Sequence, residues 1–268
     1  MNPAELARTD GPPAFDPTRR TALVTGVLYL ITFLASIPAV FLLGPVLDNP
    51  SYVVGAGADR QVGLGAVLDM VNAFACIGTA VAFFSIGRRV HEGLALGFVA
   101  TRLMEAAIIS IGVVSLLAVL TLRASGLASS DPAAATVVGR SLVAVRNWTF
   151  LLGPCLMSAL NALMFGTVLY RGRLLPRAIP ALGIVGAPIM ISFVVASMLG
   201  LSELGGTFNG IAGAPFFLWE LAAGLWLTFK GFRREAPVVA AAIADSLVGV
   251  PAAPSPASMT VATAAGAA

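Results

Sequence analysis

The chain has 268 residues, 58% of them hydrophobic and only 11% charged, with a formal net charge of +3. A soluble domain carries about 25% charged residues, and the mean hydropathy here is +0.92, which excludes a soluble globular enzyme. The apolar residues come in runs of about 20 or more, not in the ~10-residue alternating segments of an outer-membrane barrel. The fold class that remains is all-α, a polytopic membrane helix bundle.

Residues 1–20 are polar and proline-rich, the composition of a disordered segment. Arg19 and Arg20 then open an apolar stretch that runs to Leu47. Ala35-Ser36-Ile37-Pro38-Ala39 mimics a cleavage site, but the stretch is too long for an ordinary signal peptide, so it reads as an uncleaved first span. Hydropathy places six transmembrane helices at about 21–45, 62–86, 94–122, 146–170, 178–200 and 208–230. Ser129-Ser130-Asp131-Pro132 marks a turn in the third connection. Residues 233–268 read as a low-complexity tail, since the apolar run Val238–Val250 is about 13 residues long and too short to span. A surface-associated or partner-binding role is the sharper alternative for it. The domain plan is therefore 1–20, disordered; 21–232, the six-helix transmembrane domain; and 233–268, the tail.

Basic residues divide unequally between the two ends of these spans. Arg8, Arg19, Arg20, Arg88, Arg89, Arg171, Arg173, Arg177, Lys230, Arg233 and Arg234 collect at one end, and Arg60, Arg123, Arg140 and Arg146 at the other. The positive-inside rule then puts both termini in the cytoplasm. Headgroups and topology account for these basic clusters, so the lipid bilayer is the expected partner and nucleic acid is not. Cys76 and Cys155 fall inside spans and His91 stands alone in a short loop, so no disulfide or metal site is indicated. HExxH, P-loop and GxSxG motifs are absent, and no cofactor or catalytic residue is assigned.

The chemistry lies in a few polar groups at depth. A charge near the bilayer centre costs about 2.5–3.5 kcal/mol on insertion scales, so Arg102, Glu105 and Glu220 must pair, take up a proton or face water. At 1.5 Å rise per residue, these three together with Asn161, Tyr29 and Thr32 fall roughly 12–16 Å from the basic ends of four helices. Thr25, Tyr29, Thr32 and Ser36 share one face of the first helix, as do Pro154, Ser158 and Asn161 on the fourth. A buried polar cluster is expected, with Arg102 paired to Glu105 or Glu220. Asp69 and Asn72 belong to a different layer, and Arg146 is the candidate partner for Asp69. Two acids face one arginine in the inner layer. They form either a fixed packing network or a site where Glu105 or Glu220 carries a proton.

Gly183-Ile184-Val185-Gly186-Ala187-Pro188 recurs as Gly210-Ile211-Ala212-Gly213-Ala214-Pro215. The small residues would let the fifth and sixth helices approach closely, and each proline is expected to bend or interrupt its helix. Interrupted helices in paired positions can mark transporter sites; simple packing is the other reading.

Several phrases together resemble a known family. They are Arg19-Arg20-Thr21-Ala22-Leu23 before Gly26-Val27-Leu28-Tyr29-Leu30, Arg102-Leu103-Met104-Glu105-Ala106, Tyr170-Arg171-Gly172-Arg173-Leu174-Leu175-Pro176-Arg177, and Trp219-Glu220-Leu221. Over about residues 19–234 the chain is similar to the bacterial membrane-protein family catalogued as domain of unknown function 4386. The resemblance implies the architecture and, with the charge asymmetry, a bacterial cytoplasmic (inner) membrane. That family has no assigned activity, so no catalytic residue follows from it. A structural or partner-interacting membrane protein, with protein partners or a second copy as candidates, is the first functional reading. A small-solute or proton-coupled transporter is the alternative, and an intramembrane enzyme acting on lipid a remote one.

Overall fold

The computed structural model describes residues 16–55, 57–202 and 207–248, and every regular element among them is helical. Helix α1, Arg19–Leu47, begins beside Asp16, whose carboxylate accepts from the Thr18 amide (2.9 Å) and hydroxyl (2.7 Å). Its 29 residues give about 43 Å of rod, more than the ~30 Å hydrocarbon core requires.

Helix α2, Asp59–Ala124, has 66 residues, and a straight rod of that length would be about 100 Å long. It does not run straight. The backbone leaves helical geometry at His91 (φ −161°, ψ 104°), and the chain doubles back. The His91 ring restarts the second half by accepting from the Leu94 amide through Nδ1 at 3.2 Å, an N-cap contact. Pairs then meet along the hairpin: Phe83 with Phe98 (6.0 Å between centroids), Cys76 with Arg102 (3.3 Å), and Asp59 with Arg123 (2.8 Å). The second and third expected spans are the two arms of this one element.

A short helix α3, Leu127–Ser130, precedes α4, Pro132–Phe150, which continues through a π-helical segment, Leu151–Met157, into α5, Ser158–Arg171. This rod starts well before the expected residue 146. Asp131-Pro132 is a helix start and not merely a turn. The Asp131 carboxylate accepts from the Ala134 amide (3.0 Å), and proline at the first helical position gives up only an N–H that has no partner there. The π segment surrounds Pro154, which cannot donate back to the preceding turn; a widened turn absorbs the missing bond.

Helices α6, Ala178–Met198, and α7, Thr207–Phe229, run through Pro188 and Pro215 without interruption; of the two effects expected of these prolines, a bend or a break, the break is absent. Neighbouring helices tolerate such prolines in membrane bundles. Gly183 and Gly186 do bring α6 onto α7: a Cβ at Gly183 would lie 2.5 Å from the Trp219 ring, and one at Gly186 3.7 Å from the Phe216 amide. Gly213, the counterpart of Gly186 in the second copy, faces open space, so these two glycines do not play equivalent parts. The segment read as a low-complexity tail opens with helix α8, Pro237–Val248, anchored by buried Phe232, Ala236 and Val239. Residues 249–268 and 1–15 lie outside the described residues.

At the basic end, Arg19 donates to the carbonyls of Leu227 (3.3 Å) and Thr228 (2.7 Å), closing the last turn of α7. At the opposite end, Arg123 pairs with Asp59 and lies 4.6 Å from the centre of the Tyr52 ring, while the Tyr52 hydroxyl donates to Asp59 at 2.8 Å. Burial, then the Asp59 carboxylate, pushes the Tyr52 hydroxyl up to about 12, so it stays a donor at neutral pH.

Among the described residues, α1, α2, the rod Pro132–Arg171 and α6 are long and apolar enough to cross a membrane, and α7 adds a shorter apolar stretch, Gly213–Phe229. Large apolar side chains such as Leu34, Phe41 and Phe74 cover the outer surface. The chain is a helical membrane bundle.

Two glycines test how tightly it is packed. A Cβ at Gly26 would sit 2.5 Å from the Thr228 backbone nitrogen, whereas one at Gly63 meets nothing within 4 Å. Gly26→Ala is expected to destabilise by about 1–3 kcal/mol through overpacking of α1 on α7. Gly63→Ala should be neutral or stabilising by up to about 1 kcal/mol through helix propensity. Thermal unfolding of the purified protein in detergent compares the two directly.

Candidate functional site

Among the described residues, Glu105 is the most fully satisfied acid. It is 3% exposed. Its Oε2 accepts from Arg102 Nη1 (3.0 Å) and Asn161 Nδ2 (2.6 Å), and its Oε1 from the Ser158 hydroxyl (2.7 Å). The i, i+3 spacing on the second arm of α2 sets the first contact. The other two come from the start of α5, where Ser158 and Asn161 share a face one turn apart. Asn161 also contacts the Thr101 hydroxyl. This carboxylate therefore ties α2 to α5 through charge-assisted bonds, about twice as strong as neutral ones.

Glu220 is held much more loosely. Its Oε1 lies 3.9 Å from Arg102 Nη2 and accepts a long bond from the Tyr29 hydroxyl at 3.4 Å. Its side chain is 17% exposed, against 2% for Arg102. Arg102 completes its surroundings with a bond to Cys76 Sγ (3.3 Å) and with the faces of Tyr29 (4.9 Å) and Phe98 (5.6 Å). Thr32 turns its hydroxyl to the Tyr29 carbonyl (2.7 Å) and borders the open space beside Glu220. The structure thus brings Arg102, Glu105, Asn161, Tyr29, Thr32 and Glu220 into one layer.

Toward the basic end this layer rests on stacked rings. Tyr29 stacks on Phe165 (5.7 Å) and Phe165 on Phe98 (4.7 Å), with Phe83 edge-on to Phe165 (4.6 Å). All four are fully buried, and they close that side.

On the other side lies a cavity of about 190 Å³ bordered by Thr32, Ser36, Asn72, Arg102, Glu105, Ser158 and Glu220, with Ile37, Val40, Phe150 and Pro154 as its apolar wall. Ile37 and Val40 are 43% and 48% exposed, so the cavity reaches the outer surface of the bundle beside α1. A second space of about 30 Å³ shares Ser36, Val40, Asn72, Phe150 and Pro154 with it and extends to Asp69 and Arg146. There Arg146 Nη2 donates to Asp69 Oδ2 at 2.8 Å, and both residues are 6% exposed. Asn72 borders both spaces, so it links two layers that depth counting along the helix keeps apart.

Cys76 and Thr101 are members of the layer that sequence reasoning missed. Cys76 follows Asn72 by one helical turn on the same face, and Thr101 adjoins Arg102; both spacings were available as signals.

Residues 24–231 match the family described as Domain of unknown function (DUF4386). The chain belongs to this family. No curated protein and no solved structure matches the chain. The DUF4386 region spans all but the first turn of α1, the whole charged layer, the π segment and α7, and leaves α8 outside.

The unequal hold on the two acids of this DUF4386 layer has a measurable consequence. Removing one member of a buried, hydrogen-bonded ion pair costs about 3–5 kcal/mol, because the partner charge stays buried. Glu105→Gln is expected to destabilise on that scale, and Glu220→Gln by about 1 kcal/mol or less, as for weakly coupled pairs. Unfolding in mixed micelles or steric trapping in bicelles measures both.

Proposed function

We propose that the chain is a carrier in the bacterial cytoplasmic membrane in which Glu220 holds a proton and a small organic cation by turns. The observation that supports this most is the cavity onto which Arg102, Glu105 and Glu220 all open. One guanidinium faces two carboxylates there, and Glu105 has the closer contact, at 3.0 Å against 3.9 Å. With both acids ionised the layer carries one uncompensated negative charge. In a low-dielectric interior such a charge is unstable by several kcal/mol, roughly, and either a proton or a monovalent cation removes it. Ser36, Asn72 and Thr32 offer acceptors to an N–H-bearing cation, and Ile37, Val40 and Phe150 offer an apolar wall to a short hydrocarbon part.

Two cations that compete for one carboxylate are exchanged, not carried together, so the reading is antiport. With the basic end in the cytoplasm, the stacked rings of Tyr29, Phe98 and Phe165 close the cytoplasmic side while the cavity lies on the far side of the charged layer. Transport would then require that ring stack to part once the site is loaded. A packing role for Glu105 is compatible with this division of labour, since its bonds hold α2 against α5.

Proteoliposomes loaded with a pH-sensitive dye test the proposal. Guanidinium serves as the probe, because it carries N–H donors and does not shed its charge to leak across as a neutral amine. An outward-directed proton gradient should drive probe uptake with loss of lumenal protons, and Glu220→Gln should reduce both to the rate of empty liposomes while remaining folded. Equal flux in wild type and Glu220→Gln, or no probe-dependent proton movement in wild type, overturns the reading.

A further inference from the structure

The turns that follow α5 and α7 carry different residues at their left-handed positions. After α5, Leu174 N–H bonds to the Leu169 carbonyl (3.0 Å) and Arg173 N–H to that of Tyr170 (3.3 Å), the paired bonds of a Schellman turn. Its left-handed position is Arg173, with φ 52°, the only non-glycine residue with positive φ among the described residues. The turn after α7 has glycine at its left-handed position, Gly231 with φ 76°. An L side chain is strained there, and Gly172 stands one residue too early to relieve it.

The two turns are locked together. Arg233 N–H donates to the Leu174 carbonyl at 2.9 Å, over a floor of buried Leu174, Phe232 and Ala236. Above that floor is a cavity of about 310 Å³ bordered by Arg173, Arg177, Arg233 and Glu235. Arg233 and Glu235 form a weak, exposed pair at 3.4 Å. Among the described residues no carboxylate lies within ion-pair distance of Arg173 or Arg177, and Arg177 lies instead over the Tyr170 ring at 5.4 Å. Three guanidiniums thus converge on one space with a single acid.

We infer that this arginine cavity binds the phosphate-bearing headgroup of an anionic phospholipid. The guanidinium fork matches phosphate oxygens in pairs, and basic pockets between helices at the positive end of a bundle suit such headgroups. A lipid is favoured over free phosphate by the flanks: Phe229, 71% exposed, and half-exposed Tyr170 stand beside the same turns, where acyl chains and glycerol would lie. Topology alone requires positive charge at this end. It does not require the charges to converge, nor an arginine at a strained position. The inference is independent of transport and stands or falls without it.

The full chain, purified and mixed with equal amounts of phosphatidylglycerol and phosphatidylcholine, is examined by native mass spectrometry. Wild type should retain the anionic lipid over the zwitterionic one by about fivefold or more, on the scale of one arginine near a headgroup. Arg173→Gly with Arg233→Gln should bring the ratio near parity, whereas Arg88→Gln with Arg89→Gln, at the same end but outside the cavity, should leave it unchanged. Arg173→Gly alone should raise the melting temperature while weakening lipid retention, a combination that loss of folding cannot mimic. Equal losses in the two double variants, or no preference in wild type, overturn the inference. Displacement of the lipid by millimolar inorganic phosphate assigns the cavity to free phosphate and overturns the lipid assignment.

Discussion

A guanidinium buried inside a membrane bundle constrains everything within reach of it. Arg102 is 2% exposed and cannot shed its proton to become neutral, so the fold must surround it with negative charge, lone pairs and ring faces. It does so from four directions: Glu105 on its own helix, Cys76 across the α2 hairpin, Tyr29 on α1 and Glu220 on α7. The contacts from Cys76, Tyr29 and Glu220 each fix the rotation of a facing helix about its axis. The break at His91 has its use here, because it folds α2 back so that Cys76 meets Arg102.

The same constraint divides labour between the two acids. A carboxylate with three short bonds, as Glu105 has, is a joint; moving it strands a charge. Glu220, with one long bond and an open side, is not bound in that way. A bundle that needed only packing would gain by bringing Glu220 the remaining distance to Arg102. That it stands off and borders a cavity is the physical basis of the exchange proposed for it.

Much of this layer was legible in the sequence because helix geometry is so regular. Constant rise places Arg102, Glu105, Tyr29, Asn161 and Glu220 at one depth, and the scarcity of charge in an apolar chain makes each one conspicuous. The features that escaped reading depend on backbone detail that composition does not carry. Asp131-Pro132 suits a turn as well as a helix start, and only the bond to the Ala134 amide distinguishes them. Proline permits interruption without demanding it: Pro188 and Pro215 leave their helices whole, while Pro154 is accommodated in a π turn. Low complexity, likewise, does not forbid a helix, and Val239 found an apolar surface to cover. Asn72 could not be seen as a link between layers, since the connection is a void, and voids follow from how helices diverge.

The rod Pro132–Arg171 is held to α2 by charge at two places and no more among the described residues. Arg146 is tied to Asp69 on the first arm, and Ser158 with Asn161 to Glu105 on the second. The π segment Leu151–Met157 lies between these ties, with Phe150 and Pro154 forming the cavity wall. Pro154 has no N–H to donate to the preceding turn, so the backbone between the two ties departs from α geometry where regular helix would leave a carbonyl without its donor. The wall that Phe150 and Pro154 give the cavity is thus set by the π turn and held in place from both sides, by Asp69 through Arg146 and by Glu105 through Ser158 and Asn161.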